Sequence, residues 1–181
     1  MKAFKAIAIM LSYPEPWWLD ETAYLQTAME RCDVRVAGLL RPLLVELRTA
    51  DRLWLQERYV ETFDRVPEHA LYLLQHTPGM SSRGNRMSAL VERYRAQGLE
   101  IMGNELPDYL PLFLEYLSLL PPEEGRRELA PYGNVIATLR ERLTASESAY
   151  APLFDAIALL GDKPVSLMGG MFTRRLWQRS P

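Results

Sequence analysis

The sequence has little of the two residue types that most often carry covalent or metal chemistry. Of 181 residues, one is cysteine and two are histidine. A single cysteine excludes a disulfide within the chain, which fits a reducing compartment. Cys32 has no neighbouring histidine to activate its thiol, so we interpret it as an apolar filler. His69 and His76 lack the neighbouring ligands that a metal needs, which predicts structural histidines, no metal and no bound cofactor.

Long hydrophobic runs are also absent. No stretch of about 18 apolar residues occurs, so we predict no stable membrane insertion. The N-terminal apolar run, Ala6 to Leu11, is shorter than a signal-peptide core, and Tyr13-Pro14 ends it without a small-residue cleavage site. These features predict a cytoplasmic protein.

Strong charge of one sign is missing from the chain as a whole. The net charge of −2 argues against a nucleic-acid partner. The charge is unevenly spread, however, because residues 162–181 hold four basic side chains and one acidic side chain. Residues 1–161 keep 17 basic and 22 acidic side chains, which makes the body acidic and the tail basic.

Helical periodicity is what the sequence does contain, and no convincing strand pattern accompanies it. Apolar residues recur at i, i+3, i+4 and i+7 in several segments, and Asp51 is placed to cap one of them. Pro42 is expected to break or start a helix. We predict an all-α fold with about seven or eight helices in one compact domain over residues 1–161, followed by a loosely ordered tail over 162–181. The clearest apolar stripes are Leu55-Tyr59-Phe63, Met87-Leu90-Val91-Tyr94, Val135-Ile136-Leu139-Leu143 and Tyr150-Leu153-Phe154-Ile157.

The sequence gives little support for a nucleotide-binding loop. Gly79 and Gly84 form a G-x-x-x-x-G pattern, but Asn85 and Arg86 follow where a phosphate-binding loop needs Lys and then Ser or Thr. No strand precedes the pattern. We therefore interpret it as a polar loop between two helices.

The most informative segment is residues 105–120, which predicts a central, buried helix because apolar side chains cover most of its circumference. Pro107 suits its first turn. Asp108 and Glu115 fall on its one polar line, about 10 Å apart at 1.5 Å rise per residue. One interpretation is that Asp108 serves the helix N-terminus and Glu115 pairs with an internal arginine. The other is an open, acidic and aromatic groove for a basic, apolar peptide.

A second dense segment, residues 59–72, adds Glu61, Asp64 and Glu68 beside aromatic side chains. It is either a solvated helix end or the other wall of the same groove. On the groove interpretation, Asp108→Asn weakens peptide binding without unfolding the protein.

These two segments resemble a known family. Residues 59–65, YVETFDR, resemble the Y-x-x-x-F-D-R segment of the NarJ-type assembly chaperones of molybdenum-dependent nitrate reductases. Residues 105–117, ELPDYLPLFLEYL, are similar to their E-L-P-D-[HY]-L-P-L-[YF]-L-E-[YF]-L block, and residues 75–79 resemble their H-x-x-G turn. The resemblance covers about residues 5–160. It departs from the family at Ser82 and Asn85, where members usually have Asp and Gln, and in its short basic tail.

The resemblance implies the all-α fold of redox-enzyme maturation chaperones and a protein that is not an enzyme. It implies binding to the N-terminal segment of the apo catalytic alpha subunit, which permits molybdenum cofactor insertion before membrane docking. It leaves open a contact with the cofactor insertion machinery. Combined with the groove interpretation, it gives a predicted peptide-binding set of Tyr59, Phe63, Asp64, Glu68, Glu105, Pro107, Asp108, Tyr109, Glu115 and Tyr116.

Two alternatives remain. The same kind of chaperone would serve another molybdopterin oxidoreductase, of the dimethyl sulfide, chlorate or ethylbenzene type. A small helical enzyme is the alternative from another class, but the sequence offers no nucleophile–base pair for it.

Overall fold

The computed structural model describes residues 2–16, 22–77, 83–101 and 105–162. These residues form helices and no strand, apart from an isolated antiparallel bridge between Tyr72 and Tyr109. The predicted all-α fold is confirmed. The helices are α1 (Lys2–Met10), α2 (Thr22–Glu30), α3 (Val34–Thr49), α4 (Arg52–Tyr59), α5 (Arg83–Ala96), α6 (Leu110–Leu119), α7 (Pro122–Leu129), α8 (Gly133–Ala145) and α9 (Ala151–Gly161).

One hydrophobic core joins these helices. α1 packs along α6, and α9 packs against α8 and α3. Phe4 and Ile7 of α1 and Phe113 and Leu117 of α6 are fully buried, which makes this helix pair the centre of the fold. Burial of a side chain of this size stabilises the folded state by about 1.5–3 kcal/mol.

The end of α4 is the first feature that shapes the site. Asp51 caps α4 as predicted, because its carboxylate accepts the N–H groups of Leu53 and Trp54. The chain then continues as a π-helical turn, Val60–Asp64, which the Arg65 N–H closes on the Val60 carbonyl at 3.0 Å. A π-turn changes the direction of the side chains that follow α4.

α6 starts later than the sequence predicts. It begins at Leu110, with Pro111 in its first turn, so Pro107 and Asp108 lie before the helix. The prediction that Pro107 starts the helix is wrong, and so is the prediction that Asp108 and Glu115 share one helical face. Pro107 and Pro111 both suit the first turn of a helix. The backbone hydrogen bonds of Asp108 and Leu110 to residues outside the helix select Pro111.

The prediction for Pro42 is also wrong. Pro42 lies inside α3, on the side exposed to solvent. The opposite side of α3 buries apolar side chains against α2 and α9, which keeps the helix continuous across the missing N–H. The buried residues of α3 are Val36, Ala37, Leu40, Leu43, Leu44 and Leu47.

α5 ends as the sequence predicts. Gly98 has φ +74°, and its N–H bonds to the Arg95 carbonyl at 2.9 Å, while the Leu99 N–H bonds to the Tyr94 carbonyl at 2.9 Å. A glycine adopts this left-handed conformation without the steric cost of a Cβ.

Two predicted features lie outside the described residues. They are Gly79 of the G-x-x-x-x-G pattern and the basic side chains of the tail, residues 163–181. The domain boundary at residue 161 stays a prediction. No helix in the described ranges combines the length and the apolar content that a membrane span requires.

Candidate functional site

The segment Leu71–Thr77 lies against the residues that precede α6, and backbone hydrogen bonds hold the two together. The Leu73 N–H donates to the Asp108 carbonyl at 2.9 Å, and the Leu110 N–H donates to the Leu71 carbonyl at 2.7 Å. The result is a short antiparallel contact that places Tyr72 beside Tyr109, with ring centroids 5.6 Å apart.

Asp108 is part of this contact and does not open onto a groove. Its side chain is 0% exposed, and Oδ2 accepts the Leu74 N–H at 2.9 Å. The prediction of an accessible carboxylate is wrong for Asp108. Among the described residues its carboxylate neither caps a helix nor pairs with a guanidinium. The Asp108 carboxylate accepts the Leu74 N–H, as a backbone carbonyl would in a regular strand pair. This hydrogen bond fixes the Leu71–Thr77 segment to the residues that precede α6.

A groove runs between α1 and the start of α6. It has a volume of about 450 Å³. Glu115 lies along it with its side chain 42% exposed and forms an ion pair with Lys5 of α1, Nζ to Oε1, at 3.6 Å. An ion pair this exposed contributes little to stability, so Glu115 stays available to a competing cation. The lining residues are Lys5, Ala8, Ile9, Ser12, Glu100, Ile101, Glu105, Tyr109, Pro111, Leu112 and Glu115.

A smaller pocket adjoins this groove, with a volume of about 200 Å³. Glu105 and Tyr109 line both, so the two share a wall. We call the smaller one the tyrosine pocket and the two together the acidic groove. The tyrosine pocket is lined by Tyr13, Tyr59, Phe63, Asp64, Leu71, Tyr72, Glu105 and Tyr109.

Aromatic rings pack edge to face around Tyr59 in this pocket. The Tyr13 and Tyr59 rings are 5.5 Å apart at 88°, and those of Tyr59 and Phe63 are 5.0 Å apart. Tyr150, at the start of α9, packs behind them at 4.8 Å from Phe63. These contacts hold the rings in place, because such pairs contribute about 0.5–1.5 kcal/mol beyond area burial.

The hydroxyl groups of the pocket form an ordered chain. Tyr59 donates its one hydroxyl proton to the Leu11 carbonyl at 3.1 Å, so Tyr109 donates to the Tyr59 oxygen at 2.9 Å. Burial raises the pKa of both phenols well above the ordinary value. Both tyrosines therefore stay neutral and present ring surface and hydrogen bonds.

Asp64 and Glu105 are the acidic residues of the tyrosine pocket. Within the described part of the chain, neither Asp64 nor Glu105 takes part in an ion pair. Glu105 accepts a long hydrogen bond from the Tyr72 hydroxyl at 3.4 Å, and burial followed by this carboxylate raises the Tyr72 pKa. A pocket with aromatic walls and two unbalanced negative charges is suited to a cationic side chain.

Six of the ten predicted residues line the acidic groove: Tyr59, Phe63, Asp64, Glu105, Tyr109 and Glu115. Their role in binding stays a prediction. What brings them together is the π-turn after α4 and the antiparallel contact of residues 71–74 with 108–110.

The expectation that the other four face the groove is wrong. Tyr116 is buried in the core, where its ring packs on Tyr94 at 5.1 Å, and Asp108 is sealed as described above. Pro107 presents its carbonyl to the Tyr94 hydroxyl at 2.6 Å. Glu68 is exposed outside the groove, and its carbonyl accepts the Arg142 Nη1 at 2.8 Å.

Several groove residues come from α1 and its end, which the groove prediction did not include. Lys5, Ser12 and Tyr13 are the polar ones. Residues 11–14 read LSYP, a short motif that by itself predicts no binding role. Nothing in that motif indicates that it meets a segment 48 residues away.

The histidines make structural contacts. His69 Nδ1 donates to the Thr62 carbonyl at 3.1 Å, since a carbonyl only accepts. His76 Nε2 donates likewise to Ala70 at 2.7 Å, which leaves Nδ1 to accept from Arg142 at 3.3 Å. In the described ranges no group of three His, Cys, Asp or Glu is arranged to hold a metal ion.

Comparison with known proteins decides the family. Residues 25–156 match the model of the nitrate reductase delta subunit family. The chain belongs to this family. The match covers helices α2 to α9 apart from the start of α2 and the end of α9.

Three relatives within the family illustrate the match. The Escherichia coli (strain K12) nitrate reductase molybdenum cofactor assembly chaperone NarJ is 35% identical over 88% of this chain and 69% of its own length. The probable chaperone NarW of the same strain is 35% identical over 92% of this chain and 71% of its own length. A probable NarJ of Bacillus subtilis (strain 168) is 28% identical over 85% of each. All three are named as assembly chaperones rather than as catalysts, in agreement with the prediction of a protein that is not an enzyme.

Proposed function

We propose that this chain is an assembly chaperone that binds the N-terminal segment of the apo catalytic alpha subunit of a nitrate reductase, in the cytoplasm, before the enzyme docks at the membrane. Holding that segment keeps the apo-subunit open for molybdenum cofactor insertion. The names of the relatives support the client, and the acidic groove supports the mode of binding.

The observation that carries the proposal is the tyrosine pocket with its two unbalanced carboxylates. A cationic side chain of the client enters it between Asp64 and Glu105 and lies against the rings of Tyr59 and Tyr109. Burying either carboxylate without a cation would cost free energy, so the charge on the client determines the fit.

The wider part of the groove takes the rest of the client segment. Ile101 and Leu112, both half-buried, offer apolar surface in this part of the groove. An amphipathic helix lays its apolar side on that surface, as in other helix-in-groove complexes. A second client cation displaces Lys5 from Glu115, which is favourable because the Lys5–Glu115 pair is exposed and weak.

The experiment is isothermal titration calorimetry with a synthetic peptide of the alpha-subunit N-terminus. The double substitution Asp64→Asn and Glu105→Gln lowers peptide affinity by at least about tenfold, since it removes both charges while keeping side-chain size. Glu141→Gln, an exposed acid on α8 outside the groove lining, is the matched control. Equal affinity for all three proteins would remove the tyrosine pocket from the site.

The same titration at rising salt gives a second readout. Affinity falls between about 50 and 500 mM salt for the wild type, because ions screen the charge attraction. The double variant loses most of that dependence. An affinity that salt leaves unchanged would mean that apolar contact alone binds the client.

The identity of the client needs a separate test. Affinity capture with the wild-type chain recovers a nitrate reductase alpha subunit, and the double variant recovers less of it. Recovery of a different molybdopterin subunit would assign the chaperone to another oxidoreductase. Co-recovery of cofactor insertion proteins through the alpha subunit would place them in the same assembly.

A further inference from the structure

α3 has an exposed side whose composition does not suit a helix in water. Val34 and Val45 are 83% and 56% exposed, and they lie on one stripe with Gly38, Arg41 and Arg48 at intervals of three or four residues. At 1.5 Å rise per residue, this stripe is about 21 Å long. We call it the α3 stripe.

Two residues on this side of the helix lower its stability without an internal reason. A Cβ at Gly38 would have no atom within 4 Å, so nothing in the described chain requires glycine there. Pro42, also exposed, cannot donate to the Gly38 carbonyl, which loses its helical partner. Glycine and proline inside an exposed helix cost about 1 and 3 kcal/mol relative to alanine. Residues that weaken a helix without packing benefit are characteristic of functional surfaces.

The charge of the α3 stripe is opposite to that of the protein body. Residues 1–161 carry 22 acidic and 17 basic side chains, yet the charged residues on the stripe are Arg41 and Arg48. Arg48 donates to the neutral Gln26 side chain at 3.3 Å, and Arg41 forms no ion pair within the described ranges. Glu46, the one acid of α3, is paired with Arg58.

A groove between α2 and α3 lies along the α3 stripe. It has a volume of about 460 Å³ and is lined by the apolar residues Met29, Leu44 and Val45, by both arginines and by one acidic residue, Glu30. None of its lining residues lines the acidic groove. The two surfaces are therefore able to hold different segments at the same time.

We propose that the α3 stripe and the α2–α3 groove bind an acidic amphipathic helix of a second protein. Its apolar residues cover Val34 and Val45, and its carboxylates pair with Arg41 and Arg48. Gly38 lets the partner backbone approach closely, and its free carbonyl accepts a donor from the partner. Covering the exposed valines removes apolar surface from water, which an acidic chain without apolar residues would not do.

The test uses two labelled helical peptides of about 18 residues, one of Leu and Glu and one of Leu and Lys, long enough to form four or more turns. Fluorescence anisotropy measures their binding to the full chain. Arg41→Glu with Arg48→Glu weakens binding of the Leu–Glu peptide by at least about tenfold, while Arg41→Lys with Arg48→Lys retains most of it. Binding of the Leu–Lys peptide does not weaken in either variant, since the substitutions remove no acidic side chain. Equal binding of the Leu–Glu peptide to the charge-reversed and wild-type chains overturns the proposal.

A second measurement identifies the natural partner. A photo-crosslinking amino acid at Val45, with the same residue at the exposed position Thr144 of α8 as control, is activated in cells that assemble the enzyme. Mass spectrometry of the Val45 adduct gives a segment of another protein with more Asp and Glu than Lys and Arg. An adduct with a second copy of this chain, a basic segment, or no adduct beyond the Thr144 control overturns the proposal. Circular dichroism of each variant confirms that the surface substitutions leave the fold intact.

Discussion

Asp108 shows how a residue matters to a site without touching what binds there. Its carboxylate holds Leu74 and its own carbonyl holds Leu73, so both sides of the 71–77 segment depend on it. Tyr109, the next residue, lines both parts of the acidic groove. A substitution at Asp108 therefore changes the groove through the position of Tyr109 and Tyr72.

Asp108→Ala is expected to lower the free energy of unfolding by about 2–4 kcal/mol, because it leaves the buried Leu74 N–H without an acceptor and removes side-chain volume. Asp108→Asn keeps an oxygen acceptor and costs less. Urea denaturation followed by circular dichroism measures both. If Asp108→Ala unfolds at the wild-type urea concentration, the anchoring role is refuted.

The hydroxyl chain predicts an order of effects at two tyrosines. Tyr59→Phe leaves the Leu11 carbonyl and the Tyr109 hydroxyl without their partner and costs about 1–3 kcal/mol. Tyr109→Phe keeps the Tyr59 bond to Leu11 and costs about 1 kcal/mol or less. Thermal unfolding of Tyr59→Phe and Tyr109→Phe in the same buffer measures the loss of stability of each variant. A larger loss at Tyr109 than at Tyr59 would contradict the ordered hydroxyl chain.

Among the helices, α3 has two sides of different composition. Its inner side is apolar and packs on α9 and α2, while its outer side carries Gly38, Pro42 and two arginines. The inner side supplies enough packing to tolerate a missing hydrogen bond, which is why Pro42 failed as a sequence signal for a helix end. Propensity is a weak prior that tertiary packing overrides.

Gly38→Ala is expected to raise the free energy of unfolding by about 0.5–1 kcal/mol, since alanine favours the helix and its Cβ meets open space. Gly125→Ala on α7 is the contrast, because there a Cβ would lie 3.4 Å from the Leu117 carbonyl oxygen. We expect Gly125→Ala to raise the free energy of unfolding by less than Gly38→Ala does, or not at all. Chemical denaturation of both variants measures the free energy of unfolding. An unchanged free energy of unfolding for Gly38→Ala would mean that residue 38 is not an ordinary exposed helical position.

For the whole molecule, several buried tyrosines predict the response to alkaline pH. Burial raises the pKa of Tyr59, Tyr94 and Tyr109 above the ordinary value of 10.0. The unfolded chain then loses these protons at lower pH than the folded chain, so stability falls as pH rises above about 10 and is unaffected by these groups below it. Phenolate absorbance measured against pH on native and urea-unfolded protein tests this. Identical titration curves would show that the phenols are not protected.

Local and non-local features of the molecule differed in how far the sequence predicted them. The stripe at residues 135–143 and the Asp51 cap were predictable, because a helix and its cap depend on neighbours within a turn. The π-turn that carries Phe63 after α4 was not predicted. The role of Asp108 was not, since its partner Leu74 is 34 residues away. The acidic, aromatic character of the site was predictable from residue types, but which carboxylates are exposed depends on chain segments that meet only in the fold.

The contact of Tyr150 with the tyrosine pocket determines when, during synthesis of the chain, the pocket is fully packed. Its ring packs on both Phe63 and Tyr59, behind the tyrosine pocket. A ribosome makes the chain from its N-terminus, so every wall of the pocket has been synthesised long before this support exists. The tyrosine pocket therefore reaches its final packing only once Tyr150 and α9 have emerged, and a chain that ends before Tyr150 leaves the rings of Tyr59 and Phe63 without this contact.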